Sequence, residues 1–514
     1  MGTNSKIFKS TLIVTAIGGL AQIIGFLVPV LIAKYFGTEK SVDAYYFAIS
    51  IPTILVGMII GGAIKIVFIP VFVKEKKSAP EELERLTAQI LTFLLILSLG
   101  FTIILIAYVQ YFGLSFFQDP ATQILAENYL IYSSPIIVLS VIFQFLNAIY
   151  NANQKFSLLE FTSILKFSLV LLFIYFLKDQ YGIYSAIYGH IIGQFLALVV
   201  SFVLVTKKLN HRIYLRLTFD RKLLRLLHDS SLAIGAFFFA QLNSVSQKVI
   251  ASLLAVGSLA SLGYAERLSI IPSFVIGAGF SVILTAYWSD LHASSKSEDL
   301  ADSVNKTISS VLMLIMPIAV GGALLSQLVV SVVFERGSFD YASVKITAQI
   351  FGIFILQVIP SQLNNVLSRI LHVNQALKYL FVFSLLAFVL NTVLIYIFSI
   401  TYQMGIIGIP TGLLVGRTIS LSVNLYYVNR NFVQIQFVQN FVKLIKVFIA
   451  LTVMVISIYV SYHLQIDTVL IPLGLLVLFI TMGGFIYILT LKLLGHNELN
   501  LLIKLVEHKL SLRK

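Results

Sequence analysis

Runs of about twenty apolar residues, separated by short polar breaks, recur from one end of this chain to the other. A helix needs roughly that many residues to cross a hydrocarbon layer about 30 Å thick. Reading the runs between breaks predicts about fourteen membrane helices. They fall over 11–36, 43–73, 87–112, 122–150, 158–178, 182–206, 230–255, 259–290, 306–334, 342–372, 378–401, 405–429, 441–463 and 468–492. The seventh and eighth are separated only by the short turn at Gly257–Ser258. The first run, from Thr11 to Phe36, is too long for the apolar core of a signal peptide and has no small-residue cleavage site after it. The pattern therefore predicts an all-α polytopic membrane protein.

Composition agrees. The chain of 514 residues is 58% hydrophobic and 11% charged, with a mean hydropathy of +0.95. Soluble domains carry about a quarter charged residues, and no soluble fold of this size hides so much apolar surface. The absence of cysteine excludes disulfides, thiolate chemistry and cysteine metal sites.

The net charge of +14 points first to nucleic acid, but the placement of the cations argues for basic cytoplasmic loops instead. One set of loops holds Lys74, Lys76, Lys77, Lys207 through Arg225, Lys296, Arg430 and the tail ending Arg513–Lys514; the opposite set holds little beyond Lys40, Lys178 and Arg336. This bias predicts that both termini are cytoplasmic, which an even span count also requires. The stretch Lys207–His228 mixes seven Lys and Arg with Leu, Ile, Tyr and Phe, as an amphipathic segment on an anionic leaflet does. The tail from Asn497 to Lys514 has a weaker form of the same pattern.

An internal repeat organises the chain. Ile32-Ala33 is followed by Ile51-Pro52 and Gly57; Ile250-Ala251 is followed by Ile271-Pro272 and Gly277. Six spans separate the copies, so both run the same way across the membrane. Transporters place substrate between such halves. Pro52, Gly57, Gly61 and Gly62 in the second span and Pro272, Gly277 and Gly279 in the eighth are candidates for bending during alternating access. Close helix packing is the other reading of the glycines.

Eight cations lie inside predicted spans: Lys34, Lys65, Lys166, Lys248, Arg267, Lys345, Arg369 and Arg417. Lys34, Lys345 and Arg369 are close enough to a span end to snorkel. Lys65, Lys248 and Arg267 fall in the repeated spans. A charge at a helix centre costs roughly 2.5–3.5 kcal/mol on insertion scales, so retaining three argues for a polar, cationic cavity suited to an anionic substrate. Snorkelling competes with that reading for Lys65, and Glu266 could neutralise Lys248 or Arg267. Arg417 is similarly isolated in the twelfth span. No zinc-type histidine spacing, phosphate-cradling loop or nucleophile elbow occurs, so an enzyme is not expected. His190, inside the sixth span, reads as a packed neutral imidazole.

Three stretches resemble the MurJ/MviN lipid II flippase family. The first runs Gly25-Phe26, Leu31-Ile32-Ala33, Phe36-Gly37, Asp43-Ala44, Ile51-Pro52 and Phe68-Ile69-Pro70-Val71-Phe72. The second runs Leu242-Asn243, Ile250 to Leu254, Gly257-Ser258, Tyr264 to Leu268 and Pro272. The third, Phe334-Glu335-Arg336-Gly337-Ser338-Phe339, is similar to that family's Phe-Glu-Arg-Gly-Ala-Phe signature. The resemblance implies two pseudo-repeated six-helix lobes plus two C-terminal helices: an N-lobe over 1–206, an amphipathic linker over 207–229, a C-lobe over 230–430, and the last two helices with the tail over 431–514. It implies a flippase of the MOP exporter superfamily in a bacterial cytoplasmic membrane. Such a flippase moves polyprenyl-pyrophosphate-linked saccharides to the outer leaflet, needs no cofactor, and is driven by sodium or the membrane potential. Cell-wall or polysaccharide synthesis proteins are the implied partners, and nucleic acid is not one.

Carried over residue by residue, Arg267 matches the family's Ala-Asp-Arg arginine, with Glu266 beside it. Lys248 stands where the family often has Asp-Arg, with Gln247 in place of the acid. Gln22 stands in place of a first-helix arginine, Val56-Gly57 in place of an arginine pair, and Gly61-Gly62 in place of Glu-Gly. Asn391 falls where the family's eleventh helix often has an asparagine near its sodium site, but Ile395 occupies the position of the acidic partner. The resemblance implies lipid II or a related lipid-linked oligosaccharide as cargo; the lost arginines argue against lipid II itself and point to the alternative of another polyprenyl-linked unit, such as an exopolysaccharide or O-antigen repeat. A MATE-like drug or cation antiporter and a membrane scaffold are the other readings; the former calls for cavity acids, of which Glu127, Glu160 and Glu266 are the main span candidates.

Overall fold

Each predicted apolar run folds as a helix or a consecutive pair of helices. The computed structural model describes residues 2–60, 68–78, 80–153, 156–209, 212–218, 220–294, 296–463, 472–496 and 498–499; Lys65, Gly61, Gly62 and the tail beyond 499 lie outside them. The helices are α1 (Gly2–Phe36), α2 (Lys40–Ile59), α3 (Ile69–Ser78), α4 (Pro80–Phe112), α5 (Pro120–Ser133), α6 (Pro135–Ala152), α7 (Phe156–Tyr181), α8 (Tyr184–Lys208), α9 (Arg221–Asp229) and α10 (Ser231–Ser252). The second half continues with α11 (Ser258–Ala293), α12 (Ser297–Leu324), α13 (Ser326–Phe334), α14 (Tyr341–Leu356), α15 (Val358–Val373), α16 (Leu377–Tyr396), α17 (Gly408–Asn431), α18 (Phe437–His463) and α19 (Pro472–Leu493).

Among the described residues twelve helical segments are long and apolar enough to cross a membrane, and thirteen when the bent pair α9–α10 is taken as one. The protein is a multi-pass membrane protein, but fourteen crossings are not established. Several segments also run longer than their apolar core suggests. At 1.5 Å per residue, the 33 residues of α4 reach about 50 Å. That exceeds the hydrocarbon thickness, so its first turns, with Glu81, Glu82 and Arg85, extend into water.

Several of the predicted runs are broken, one of them by a proline. Pro135 has no N–H to continue α5, and the fourth run splits there into α5 and α6. The ninth run breaks at Leu325 and the tenth at Gln357. The eleventh ends in a π-helical turn, Ile397–Thr401. The expected amphipathic linker is not one element: α8 continues through Lys208, residues 212–218 are not helical, and only α9 is a helix, turned 59° from α10.

The repeat has a local structural counterpart. Gly37, just after α1, and Gly257, just before α11, both have left-handed backbone, and Pro52 and Pro272 each lie fifteen residues beyond it (37 to 52, 257 to 272). Ile32-Ala33 and Ile250-Ala251 are all buried. Both prolines sit inside helices that continue past them.

The chain folds into two compact units. The first comprises 1–263 with 336–340, the second 264–335 with 341–514. In the first unit α7 packs along α8 and α1, and α2 packs along α5 and α10. Its core gathers Phe68, Phe72, Ile90, Phe145 and Tyr150, and the Tyr150 hydroxyl donates to the Ser201 carbonyl at 3.0 Å. α9 joins this core through Leu223, which is 1% exposed, while Arg216 N–H donates to Thr92 Oγ1 at 2.8 Å. In the second unit α16 pairs with α17, α18 with α19, and α18 lies against α12. The Tyr487 hydroxyl donates to the Met313 carbonyl at 2.7 Å, and Asn305 bonds Gln434 and Gln436, which ties the last two helices into this unit.

Burial of Leu223 should hold α9 far more firmly than the half-exposed Arg85–Asp220 ion pair does. Leu223→Ala is expected to cost about 2–5 kcal/mol and to lower the thermal midpoint of the detergent-solubilised protein by circular dichroism, whereas Arg85→Ala leaves it nearly unchanged. Equal midpoints for the two variants would overturn this ranking.

Candidate functional site

The end of the first unit where α1 turns into α2 is a belt of helix-end contacts. A helix leaves its first N–H and last C=O groups without intrahelical partners, and where they are buried in protein another protein group has to supply them. α11 begins at Ser258, and the Asp43 carboxylate of α2 serves its amino end. Its two oxygens accept from Gly257 N–H at 2.6 Å and Ala260 N–H at 2.7 Å. Asp43 is 3% exposed. Charge-assisted bonds to a helix amino terminus are the strong kind.

The carboxyl end of α1 is served from a distance as well. Ser338 N–H donates to the Lys34 carbonyl at 2.9 Å, and Ser338 Oγ donates to the Tyr35 carbonyl at 3.2 Å. Two glycines make this approach possible. Gly37, at φ +61°, ends α1; a Cβ there would lie 2.4 Å from the Ser338 carbonyl oxygen. Gly337, at φ +63°, would bring a Cβ to 2.1 Å from the Lys34 carbonyl oxygen. At both positions the backbone angle and the space exclude a side chain. Gln118 N–H donates to the Ser252 carbonyl at the end of α10 at 3.2 Å. Lys40 pairs with Asp119 at 3.2 Å. The Thr122 hydroxyl and backbone N–H, at 2.6 and 2.9 Å, hold the Asp119 carboxyl below its usual range, with Lys40 adding to the effect.

A second polar cluster lies inside the second unit. Arg417 Nη1 on α17 donates to Ser361 Oγ on α15 at 2.6 Å. Asn424 Nδ2 donates to Asn364 Oδ1 at 2.9 Å. Glu266 of α11 lies within electrostatic reach of the Arg417 guanidinium. Asn391, 5% exposed on α16, packs against α17 next to this cluster: a Cβ on Gly416 would meet its Oδ1 at 2.2 Å. Ile395 is buried against α17 at Gly412. Among the described residues no three His, Asp or Glu side chains gather as a metal site.

The expected site residues divide between the units. In the first, Lys248 is buried on α10 at 4% exposure, whereas Gln22 is exposed on α1. Pro52 is buried in α2, and the amide end of Gln241 on α10 lies over Gly57, in the space a Cβ would take. In the second, Glu266 is half-buried and Arg267, about 100° further round α11, is exposed. Pro272 is buried, and α11 stays helical through Gly277. His190 accepts or donates a 3.0 Å bond with the Tyr45 hydroxyl, as a packed imidazole does. Asp43 and Ser338 are structural centres for which the sequence reading assigned no role. The available signal was an acid in the first turn of an otherwise apolar span.

Asp43→Ala leaves buried N–H groups unpaired, at about 1–3 kcal/mol, and Gly337→Ala pushes Ser338 away from α1. Both are expected to lower the thermal midpoint in detergent, whereas Gly100→Ala, inside α4 where a Cβ meets no neighbouring atom and alanine is the better helix former, should leave it unchanged or raise it; midpoints no lower than that of the unaltered protein would remove the belt's role. Because the folded Asp119 carboxyl titrates below its unfolded value, its contribution is present above about pH 4 and is lost as the pH falls through the folded value. The midpoint gap between the protein and Asp119→Asn should accordingly shrink on acidification; a gap independent of pH would contradict the assignment.

The profile of the family described as lipid II flippase MurJ matches residues 32–481. A "Probable lipid II flippase MurJ" of Thermotoga maritima is 27% identical over 95% of this chain and 97% of its own length. The "Lipid II flippase MurJ" of Thermosipho africanus is 24% identical over 76% and 79%. A solved structure described as "Lipid II flippase MurJ, inward closed conformation" superposes with a TM-score of 0.78 at 22% identity, over 93% of this chain and 98% of that one. An inward-facing multidrug resistance MATE transporter of the MOP superfamily superposes at 0.69 and 12% identity, over 81% and 96%. These two likenesses concern the fold. The family match covers most of the chain, and the protein belongs to the MurJ lipid II flippase family, whose members are transporters and not enzymes.

Proposed function

We propose that this protein carries a polyprenyl-pyrophosphate-linked saccharide, lipid II or a close relative, from the inner to the outer leaflet of a bacterial cytoplasmic membrane, with both termini cytoplasmic. Membership of the family over residues 32–481 carries the reading. A pyrophosphate and its sugars pay heavily to enter hydrocarbon, and a wet cationic path lowers that barrier. Lys248 in the repeated helix α10 and Arg267 in its successor α11 are the side chains we assign to the pyrophosphate. Arginine offers two parallel hydrogen bonds, lysine a movable point charge. Lys65 is the third candidate cation, Gln22 a neutral contributor, and Pro52, Gly57, Pro272 and Gly277 the candidate points of bending.

The belt around Asp43 and Ser338 then acts as a closure: α2 parts from the start of α11, and α1 from 336–340, only when those helix-end bonds break. The charge set favours an anionic cargo over the organic cations that a drug antiporter needs acids to bind. Glu266, an acid available for that purpose, lies within reach of Arg417. For coupling we favour the membrane potential acting on a cationic site, because Ile395 stands where an acid would complete an ion site with Asn391. Proteins of cell-wall or polysaccharide synthesis would supply and consume the lipid.

The test is translocation of a pyrophosphate-linked lipid by protein in proteoliposomes. Arg267→Ala and Lys248→Ala each remove a charge-assisted contact worth about 1.5–3 kcal/mol and should slow flipping by about ten- to a hundredfold. Arg267→Lys should recover part of the loss. Unchanged rates in both alanine variants would defeat the assignment.

A further inference from the structure

A cavity of about 390 Å³ opens within the second unit, between the junction of α12 and α13, the start of α14, and α18 near its carboxyl end. That size falls within the range of ligand pockets. Its walls are apolar: Leu325, Leu328, Val344 and Ile458 line it, with Leu324 and Tyr459 on the membrane-facing side at 40% and 55% exposure. One edge is polar. The Ser331 hydroxyl donates to the Glu335 carboxylate, and Gln327 Nε2 donates to the Tyr341 hydroxyl at 3.1 Å. With its oxygen accepting from Gln327, the Tyr341 phenol keeps its own proton for an outside acceptor.

The arrangement is that of a lipid seat. Tyr341 and Tyr459 sit at the ends of apolar helices, where amphipathic rings mark the level of lipid headgroups. Glu335 is the one charged residue lining the cavity among the described residues, in a chain whose net charge is +14. An anionic headgroup would meet repulsion here. A primary ammonium would meet a carboxylate, and the phosphate beside it would meet the Tyr341 and Gln327 donors. We propose that this pocket binds one glycerophospholipid with a primary-amine headgroup. Its ammonium rests on Glu335, its phosphate on Tyr341, and one acyl chain lies along Leu325, Leu328, Val344 and Ile458. The site is separate from the Lys248 and Arg267 assignment and does not depend on which saccharide is carried.

Native mass spectrometry of the full chain, released from detergent with dioleoylphosphatidylethanolamine or dioleoylphosphatidylglycerol in equal amounts, tests it. A partly exposed ion pair of up to 1 kcal/mol corresponds to about a fivefold preference, so the ethanolamine lipid should be retained about fivefold over the glycerol lipid. Glu335→Gln should bring the two to parity, and Glu335→Lys should reverse the order. Leu328→Trp, which fills the apolar wall, should reduce retention of both, with helicity by circular dichroism showing that the variant is folded. Equal retention by the unaltered protein, a preference that survives Glu335→Lys, or displacement of the ethanolamine lipid by an equimolar polyprenyl phosphate would overturn the proposal. The last outcome would assign the pocket to the tail of the transported lipid.

Discussion

A backbone amide buried among packed helices has no water to bond, so a helix that ends there must have its terminal groups served by protein. In the first unit that requirement is met across long stretches of sequence. Asp43 serves the start of α11 from 214 and 217 residues away, and Ser338 serves the end of α1 from 303. Asp43 is 3% exposed, so each of its bonds satisfies an N–H that would otherwise stand unpaired in the protein interior, at about 1–3 kcal/mol; Ser338 is exposed, and its bonds fix the course of 336–340. The packing of α2 on α10, the left-handed turn at Gly37 and the course of 336–340 all follow from bringing these ends together.

The same constraint explains which parts of the protein were legible in its residue order. Apolar length is a local property, so the helices from Ile32 to Leu493 could be placed from composition alone, and the paired Pro52 and Pro272 marked the duplicated elements. Breaks such as those at Pro135 and Leu325 were less visible, because they fall inside runs that remain apolar throughout. The partners of Asp43 are backbone amides, which every residue carries. No residue-type pattern announces them. Arg417 stood out as an isolated cation, yet Ser361, Asn364 and Asn424, which surround it, belong to residue types scattered through many spans. The neighbourhood of Asn391 and Arg417 arises from the pairing of α16 with α17, which periodicity does not specify.

The charges within the spans are placed in two ways. Arg417 is held by a hydroxyl on α15 and sits within reach of Glu266, an arrangement that fixes helices relative to one another inside one unit. Arg267, on a different face of α11 from Glu266, is left exposed, which suits contact with a cargo rather than with structure. Two adjacent residues of one helix thereby meet different surroundings because of the angle between them.

The short segment 336–340 belongs to the first unit although its flanks on both sides belong to the second. The covalent chain consequently crosses the boundary between units three times, at 263, 335 and 340. A gene cut at the first of these points would yield an amino-terminal fragment lacking Ser338, with the last carbonyls of α1 deprived of their donor. Divided at 263, the first unit would thus lose a segment that it holds in the intact chain. Any split-protein or tagging strategy that respects its architecture has to leave that five-residue insertion with the fragment it completes, or supply it in trans.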